Sequence, residues 1–301
     1  MPRVAAIVLN YNGRDITLQS LESLEQMTYP AFDVIHVDNG STDGSSAAVA
    51  QAHPDVIQIR VEENTGAANG MNAGLEYACR EKYDYILALN NDIEVDPEML
   101  TEMVSLAERT DNLGCIGPKA YYYWAREKIW SAGGIIRFKE SVTRERGMRE
   151  DDRGQYDRDE EVAYINGCAL LAPRRVVEEI GGWDPQFHLA VEDADWCMRM
   201  KQRGYRCMYA HRARLWHMVA HTAGGYVARR TFNTGRSAAF FVRRYANPWQ
   251  WLTFLTFTAA GLVLAFFREL PQGNQMAAIK KGHGVMVGLT AELRPAPRLN
   301  L

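Results

Sequence analysis

Small polar side chains follow each of the first four apolar runs of the chain, in the segments 10–13, 38–43, 64–72 and 90–92. Each segment alone is typical of a turn. Four together suit a nucleotide, because carboxylates accept from ribose hydroxyls and amides can read a base edge. The pattern predicts a nucleotide site formed by Asn10, Asn12, Asp38, Ser41, Asn64, Gly66, Asn72 and Asn91.

Asp92 is the candidate metal ligand. It lies between an apolar run and a helix that Asp96 and Pro97 are placed to begin. A carboxylate at such a turn can bind Mg²⁺ or Mn²⁺, with diphosphate oxygens completing the coordination. The alternative is an ordinary turn or cap residue.

A second acidic cluster contains Glu192 and Asp193. Asp193 is suited to accept a proton from an acceptor hydroxyl as a general base. The alternative is that these acids only stabilise the positive end of a helix that begins here. We expect Asn166-Gly167 and the turn before Trp183 to position the acceptor, with Trp183 either a wall for a sugar ring or a core residue.

Two further patterns carry less information. A lone histidine such as His217 is usually structural, and the pair His217 and His221 lacks the inner glutamate of a zinc-protease helix. The glycines at 282, 284 and 288 follow no clear strand, which argues against a dinucleotide loop.

The elements that must position these residues alternate between strand and helix, which predicts a doubly wound, mostly parallel α/β sheet. Predicted strands are 4–10, 32–38, 56–61, 85–89, 205–209 and 214–217, and predicted helices are 15–27, 45–52, 67–81, 96–110 and 193–203. A further helix is expected after Pro173. The mixed charges of 137–161 predict a solvated, mobile connection.

Composition excludes several classes of protein. With 47% hydrophobic and 24% charged residues, the chain is globular rather than disordered. A net charge of −3 shows no basic excess, so we expect no nucleic-acid partner. Five scattered cysteines without a CxxC pattern favour a reducing cytosol over disulfides or a zinc ribbon, and the first residues show no secretory signal pattern.

One apolar segment, 248–267, contains 20 residues without a charge, which is long enough to cross a bilayer. Its glutamine and three threonines leave two alternatives open. It could lie in the membrane interface, or it could be buried against protein, including a second copy in a homodimer. Arginines at 229, 230, 236, 243 and 244 are expected to approach anionic headgroups.

Taken together, these motifs resemble the family 2 glycosyltransferases, which have the GT-A fold. The matching segments run from VAAIVLNYNG through IHVDNGSTDGS, ENTGAANGMNAG, LALNND and NGCALLAPRRVVEEIGGWDPQF to VEDADWCMRMKQRGYRCMYAHRARLWH. Within the family, the sequence is most similar to the bacterial rhamnosyltransferase-like branch, which builds cell-surface polysaccharide.

The resemblance implies roles for individual residues. Asp38 would read the nucleoside, and Asn91-Asp92 would stand at the metal motif, in which Asn90 replaces the first acid. His217 would help to bind the metal or diphosphate. Asp193 would be the catalytic base, with Glu192, Asn166, Gly167 and Trp183 on the acceptor side.

The expected protein is a metal-dependent inverting glycosyltransferase at the cytoplasmic face of the membrane, acting on a glycan or lipid-linked acceptor. Residues 1–225 would form the catalytic domain and 226–301 a helical, membrane-associating extension. Two alternatives remain: a sugar-phosphate nucleotidyltransferase, which would release pyrophosphate, and a catalytically degenerate nucleotide-sugar-binding scaffold.

Overall fold

A computed structural model describes residues 1–218 and 228–301. The strands in this part of the chain are β1 (Val4–Asn10), β2 (Phe32–Asn39), β3 (Ile57–Val61), β4 (Tyr85–Asn90), β5 (Ile93–Val95), β6 (Leu113–Tyr122), β7 (Ala125–Ser131), β8 (Gly134–Ile136), β9 (Thr143–Glu145), β10 (Glu160–Glu161), β11 (Ala169–Pro173) and β12 (Arg206–His217). The helices are α1 (Arg14–Leu24), α2 (Ser45–Ala52), α3 (Ala67–Arg80), α4 (Met99–Glu108), α5 (Arg174–Ile180), α6 (Glu192–Gln202), α7 (Ala228–Tyr245), α8 (Pro248–Glu269) and α9 (Gln275–Thr290).

The central sheet has two halves. In the first, β3, β2, β1 and β4 are adjacent and parallel, as the sequence predicts. In the second, β11 runs antiparallel between β4 and β6, and only the pair β6–β12 is parallel. The predicted fold class is confirmed, and the antiparallel pairs belong to the second half of the sheet. There, β6 and β12 each follow a helix, whereas β7 follows β6 directly and pairs antiparallel with it.

Helices cover both faces of the sheet, which explains why β1 and β4 are continuous apolar runs. Leu21 of α1 and Met99 of α4 pack in one core, and Leu75 of α3 and Trp196 of α6 pack in the other. Such a double covering places the carboxyl ends of the parallel strands at one edge, where ligands bind in open α/β sheets.

The segment 137–161 is not the mobile connection that its charges predicted. It contains β9 and β10, and β9 pairs with β8 in a hairpin. Phe138 and Val142 are buried in the core, and the carboxyl group of Glu145 is buried with them. The charged side chains did not indicate a mobile segment, because many of them form ion pairs with each other, as Arg146 does with Glu160.

Two smaller predictions also change. The helix expected from Asp96 begins at Met99, because Asp96 forms the preceding turn: its side chain accepts from the Glu98 N–H and its carbonyl from the Met99 N–H. The separate strands 205–209 and 214–217 are one strand, β12, with an irregularity between Ala210 and Arg214.

The C-terminal helices pack against each other. Gly284 and Gly288 of α9 lie against α7, where a Cβ at Gly288 would come within 2.8 Å of Ala239, and Gly282 faces Leu262 of α8. This close packing gives the GxGxxxG pattern a structural role. Within the described residues, α8 and the 3₁₀ turn that follows it form one helix that is long and apolar enough to cross a membrane. The domain boundary predicted at 225 lies outside the described residues, as does His221.

Candidate active site

A cavity of about 320 Å³ lies at the carboxyl edge of the sheet. It brings together six of the residues predicted from sequence: Asn166, Gly167, Trp183, Glu192, Asp193 and His217. Its other walls come from β1, β4, β7, β9, α3 and α7. Residues separated by more than 200 positions therefore converge on one site.

Asp193 stands in the first turn of α6 and is held by two backbone N–H groups. Its Oδ2 accepts from Gly167 N at 2.8 Å, and its Oδ1 accepts from Ala194 N at 2.7 Å. A Cβ at Gly167 would lie 2.8 Å from the Trp183 ring, so only glycine allows this close approach. The preceding Val191 has a φ of 62°, a strained conformation for a β-branched residue. Strain of this kind is common where the fold must fix a functional side chain.

Three acids share the cavity, and burial raises the pKa of each of them. Burial is the main cause that raises the pKa of Asp193 to about 7, and the charge of Glu145 adds to it. Burial also raises the pKa of Glu192, with the charge of Asp193 as the second cause. A carboxyl group with a pKa near neutrality is suited to exchange protons at physiological pH.

Glu145 is a site residue that the sequence did not reveal. Its Oε1 accepts from Tyr164 OH at 2.6 Å and from Asn166 Nδ2 at 2.9 Å, and its Oε2 accepts from the Ser131 hydroxyl. Burial raises its pKa despite these three donors. No sequence signal distinguished Glu145, since it stands among eleven other acidic and basic residues between 139 and 158.

Asp92 and His217 meet at the end of β12. His217 Nε2 lies 3.1 Å from Asp92 Oδ1, and the Met218 N–H donates to the Asp92 carbonyl at 2.8 Å. The Trp130 ring packs edge-on against His217, at 4.3 Å between ring centroids. These contacts hold an imidazole and a carboxylate side by side; His217 lines the cavity, and Asp92 is not among its lining residues.

The donor set of Asp92 and His217 fits a divalent metal. His217 Nδ1 is buried and makes no hydrogen bond within the described residues, whereas Nε2 faces Asp92 Oδ1. The 3.1 Å between the facing atoms also matches two adjacent ligands of an octahedral ion, which are about 3 Å apart at metal–ligand distances of about 2.1 Å. Carboxylate suits Mg²⁺ and Mn²⁺, and imidazole is a common ligand of first-row transition-metal ions.

Hydrogen bonds join the first two polar loops, residues 10–13 and 38–43. Ser41 Oγ accepts from Asn12 N at 2.9 Å, and Asn12 Oδ1 accepts from Thr42 N at 2.8 Å. Asp38 Oδ1 accepts from Ser41 N, whereas its Oδ2 is buried without a hydrogen bond in the described part of the chain. Arg60 Nη1 lies 3.8 Å from this second oxygen, so Asp38 Oδ2 has an ion-pair partner but no hydrogen bond within the described residues.

The third loop is similarly ordered. Asn64 Oδ1 accepts from Asn39 Nδ2 and from Gly66 N. Gly66 has a φ of 109°, and a Cβ there would lie 3.2 Å from His188, so the loop needs glycine at this position. Asp38, Ser41, Asn64 and Gly66 do not line the cavity described above.

Three predicted donor-binding residues have hydrogen-bond partners within the protein. Asn10 is fully buried, and its Oδ1 accepts from Gly13 N and from Asn91 Nδ2. Asn91 also donates to Thr17. Asn72 is bidentate to the backbone of Trp183, accepting at 2.7 Å and donating at 2.9 Å. These contacts hold the loops in place, and donor binding by the three amides stays a prediction.

Two of the arginines predicted to approach lipid headgroups have protein partners. Arg243 donates to the Gly288 and Ala291 carbonyls, and Arg244 is paired with two acids. Arg230 lines the cavity together with Thr234, one helical turn away. Contact of α7 with a membrane stays a prediction.

The cysteines are less scattered than their spacing suggested. All five are free, and the sulfur atoms of Cys115, Cys197 and Cys207 lie within 4.8 Å of one another. Each of the three is fully buried in the core. They sit behind α6 and do not line the cavity that contains Asp193.

Comparison with known proteins identifies the family. Residues 5–181 match the family model described as "Glycosyl transferase family 2". The chain is 26% identical over 223 residues to the poly-beta-1,6-N-acetyl-D-glucosamine synthase of Staphylococcus aureus, covering 71% of this chain and 50% of that protein. It therefore spans about half the length of this relative.

A relative of similar length is the N-acetylglucosaminyl-diphospho-decaprenol L-rhamnosyltransferase of Mycobacterium tuberculosis. It is 25% identical over 260 residues, covering 80% of this chain and 84% of that protein. Among solved structures, the mannosyltransferase PcManGT of Pyrobaculum calidifontis, in complex with GDP-Man and Mn²⁺, superposes with a TM-score of 0.59 at 19% identity. That alignment covers 95% of this chain and 87% of the mannosyltransferase. The fold is GT-A.

Proposed function

The chain belongs to glycosyltransferase family 2, and we propose that it transfers a sugar from a nucleoside-diphosphate donor to an acceptor hydroxyl with inversion of the anomeric centre. The observation that carries this proposal is the shared cavity of Asp193 and His217, with Asp92 in contact with the histidine. Asp193 and His217 thus border one space that can hold a single reacting carbon, and Asp92 reaches this space through its contact with His217.

Asp193 acts on the acceptor in this mechanism. Its raised pKa makes it a stronger base than an exposed carboxylate, and the N–H groups of Gly167 and Ala194 fix its orientation. As the acceptor oxygen attacks, Asp193 takes the hydroxyl proton. Such a base contributes about 10²–10⁴-fold to the rate.

Asp92 and His217 act on the leaving group. They would hold Mn²⁺ or Mg²⁺, which when bound neutralises charge on the departing diphosphate. Asn90 lines the cavity. It stands where the family's metal motif has its first acid, and it offers a neutral amide to the metal. We therefore expect the metal to bind weakly without donor and tightly with it, since the diphosphate supplies ligands that the protein lacks.

The acceptor side has hydrogen-bonding groups without partners. Trp183 Nε1 and Glu192 Oε2 are buried and make no hydrogen bond within the described residues. Both side chains line the cavity, so acceptor hydroxyl groups can satisfy them. The mycobacterial relative is named for a diphospho-decaprenol acceptor, and we extend a lipid-linked acceptor and a rhamnose-type donor to this chain.

A membrane-surface location follows from α8. Trp249, Leu264 and Phe267 are more than 60% exposed, whereas Phe254 on the opposite side is buried. Thr253 donates to the Phe138 carbonyl, so α8 is attached along one side to the β8–β9 hairpin. A helix with one attached side and one apolar outer side suits the bilayer interface at the cytoplasmic face, where the nucleotide sugar and the lipid-linked acceptor meet.

The direct test of function is a screen of nucleotide sugars by thermal shift, with and without Mn²⁺ or Mg²⁺. A donor that stabilises the protein only with metal is then offered to lipid-linked acceptors, and the product anomer is read by NMR. Pyrophosphate release from a nucleoside triphosphate and a sugar phosphate would instead identify a nucleotidyltransferase. Donor binding without turnover on any acceptor would favour a degenerate scaffold.

The membrane proposal has a separate test. The double variant Leu264→Ser/Phe267→Ser is expected to lose most of its sedimentation with vesicles of anionic phospholipid. Trp124→Ser, which changes an exposed aromatic residue far from α8 along the chain, is the matched control. Equal sedimentation of both variants and the native protein would contradict an interfacial α8.

A further inference from the structure

Two residues after the base, α6 carries a second acid that faces the other way. Asp195 is fully buried and lies within the core of the molecule. A buried carboxylate requires several strong partners, because removing it from water is costly. Its Oδ2 accepts from Arg199 Nε at 2.9 Å, within the same helix, and its Oδ1 accepts from two residues of α7.

The partners from α7 are Arg244 and Tyr245. The Arg244 guanidinium donates to Asp195 Oδ1 at 2.6 Å, and Tyr245 OH donates to the same oxygen at 2.7 Å. These contacts join residues 50 positions apart. They also lie beyond residue 181, where the match to the family model ends.

Arg244 also contacts the turn that carries the acceptor wall. Its second nitrogen lies 2.9 Å from Oδ2 of Asp184, which is itself 1% exposed. Asp184 directly follows Trp183, whose ring packs beside Gly167. The Arg244 guanidinium therefore contacts both α6, which carries Asp193, and the turn that carries Trp183. A planar guanidinium with several N–H donors can make both contacts at once.

We propose that Arg244 and Tyr245 are positioning residues of the transfer reaction: α7 locks α6 through Asp195 and so fixes Asp193 against Gly167 and the acceptor. This inference rests on the proposed function, because it assigns a role to Asp193 in turnover. Neither residue lines the catalytic cavity, so both act through Asp195 and Asp184. The lock matters because a displacement of about 1 Å in a reacting group can reduce the rate about 100-fold.

The chain provides a matched control in the adjacent residue. Arg243 is also an arginine of α7, but it donates to the Gly288 and Ala291 carbonyls at the end of α9. Replacing Arg243 disturbs the packing of the C-terminal helices without touching α6. The comparison of Arg244→Lys with Arg243→Lys therefore separates positioning from general stability.

The experiment uses the full chain and three variants: Arg244→Lys, Tyr245→Phe and Arg243→Lys. Lysine keeps the charge but cannot span both acids, so Arg244→Lys should lower kcat about 10- to 100-fold. Tyr245→Phe should lower kcat about 3- to 10-fold, since it removes one donor of three. Donor affinity should stay within about twofold in both, and Arg243→Lys should keep native kcat at a comparable change in Tm.

Hydrogen exchange of residues 192–197 provides a readout that is independent of turnover. We expect faster exchange in Arg244→Lys and Tyr245→Phe than in Arg243→Lys. The proposal is overturned if Arg244→Lys keeps native kcat, or if both arginine variants lose activity in proportion to Tm. If the native chain transfers no sugar at all, the proposed function fails, whereas unchanged exchange would refute the lock itself.

Discussion

The donor loops and the acceptor side of the cavity are built in different ways. The donor loops, residues 10–13, 38–43 and 64–66, are short and are joined by neutral hydrogen bonds such as Asn12 to Ser41. The acceptor side consists of buried carboxyl groups, Glu145, Glu192 and Asp193, drawn from distant segments. The first arrangement fixes a backbone shape for a ligand. The second places carboxyl groups in a cavity with little solvent, where burial and neighbouring charges shift their pKa values.

This difference predicts that substitutions on the acceptor side act mainly by changing charge. Substitutions in the donor loops should act mainly by changing the shape of the backbone. Loss of one neutral hydrogen bond among several costs about 0.5–1.5 kcal/mol. Loss of a catalytic carboxylate removes a step of the reaction. The predictions below test this contrast, from the largest expected effect to the smallest.

Asp193→Asn should lower kcat about 10³-fold or more, because the amide cannot accept the acceptor proton at the required step. Donor affinity should be unchanged, since the donor loops do not contact this residue. Steady-state transfer kinetics together with donor titration measure the two quantities. Near-native turnover would remove Asp193 from its role as base.

The stability of the Asp193→Asn variant relative to the native chain should depend on pH. When the folded state raises the pKa of an acid, ionising that acid lowers the free energy of unfolding. The loss of stability is therefore largest at pH values above the folded-state pKa. Asp193→Asn should therefore be more stable than the native chain at pH 8, by at least about 1 kcal/mol, and the difference should vanish near pH 4. Denaturant unfolding at the two pH values measures it.

Asp92→Ala and His217→Ala should each weaken donor binding about 10- to 100-fold in the presence of Mn²⁺, since each removes one of two protein ligands. The same variants should bind donor like the native chain when EDTA is present. Native affinity that is equal with and without EDTA would contradict the metal site.

The pH profile tests the acceptor side. Asp193 must be ionised to act, so kcat should fall as pH decreases through about 7. The charge of Glu145 contributes to the raised pKa of Asp193, so Glu145→Gln should shift the acid limb of the profile to lower pH. Asp151→Asn, in the same segment but exposed, is the matched control. Identical profiles for all three proteins would show that the cavity charges do not interact.

The donor loops should give the smallest effect. Ser41→Ala removes the hydroxyl that accepts from Asn12, and donor affinity should fall about 3- to 10-fold with kcat little changed. Isothermal titration with the identified donor measures this loss. A loss comparable to that of Asp92→Ala would mean that Ser41 contacts the donor directly.

Most of the first half was predictable because its signals are local. Val4–Asn10 and Ser45–Ala52 have the predicted bounds, since an apolar run of strand length and a helix after a glycine turn can be recognised from neighbouring residues alone. The hydrogen-bond partners of Asn10, Asn72 and Asn91 were not predictable, because an amide in a turn has the same sequence pattern whether it faces a ligand or a neighbouring backbone.

The sequence by itself determined the fold class, the strand-end loops and the acidic pair at 192 and 193, because these depend on residue type and short spacing. Only the tertiary structure decided that Glu145 enters the cavity and that Arg244 clamps Asp195. Both are charged residues in charged surroundings, and a solvated charge and a paired buried charge have the same sequence signature. The partner that distinguishes them lies 21 residues away for Glu145 and 49 for Arg244, a separation that no local pattern spans.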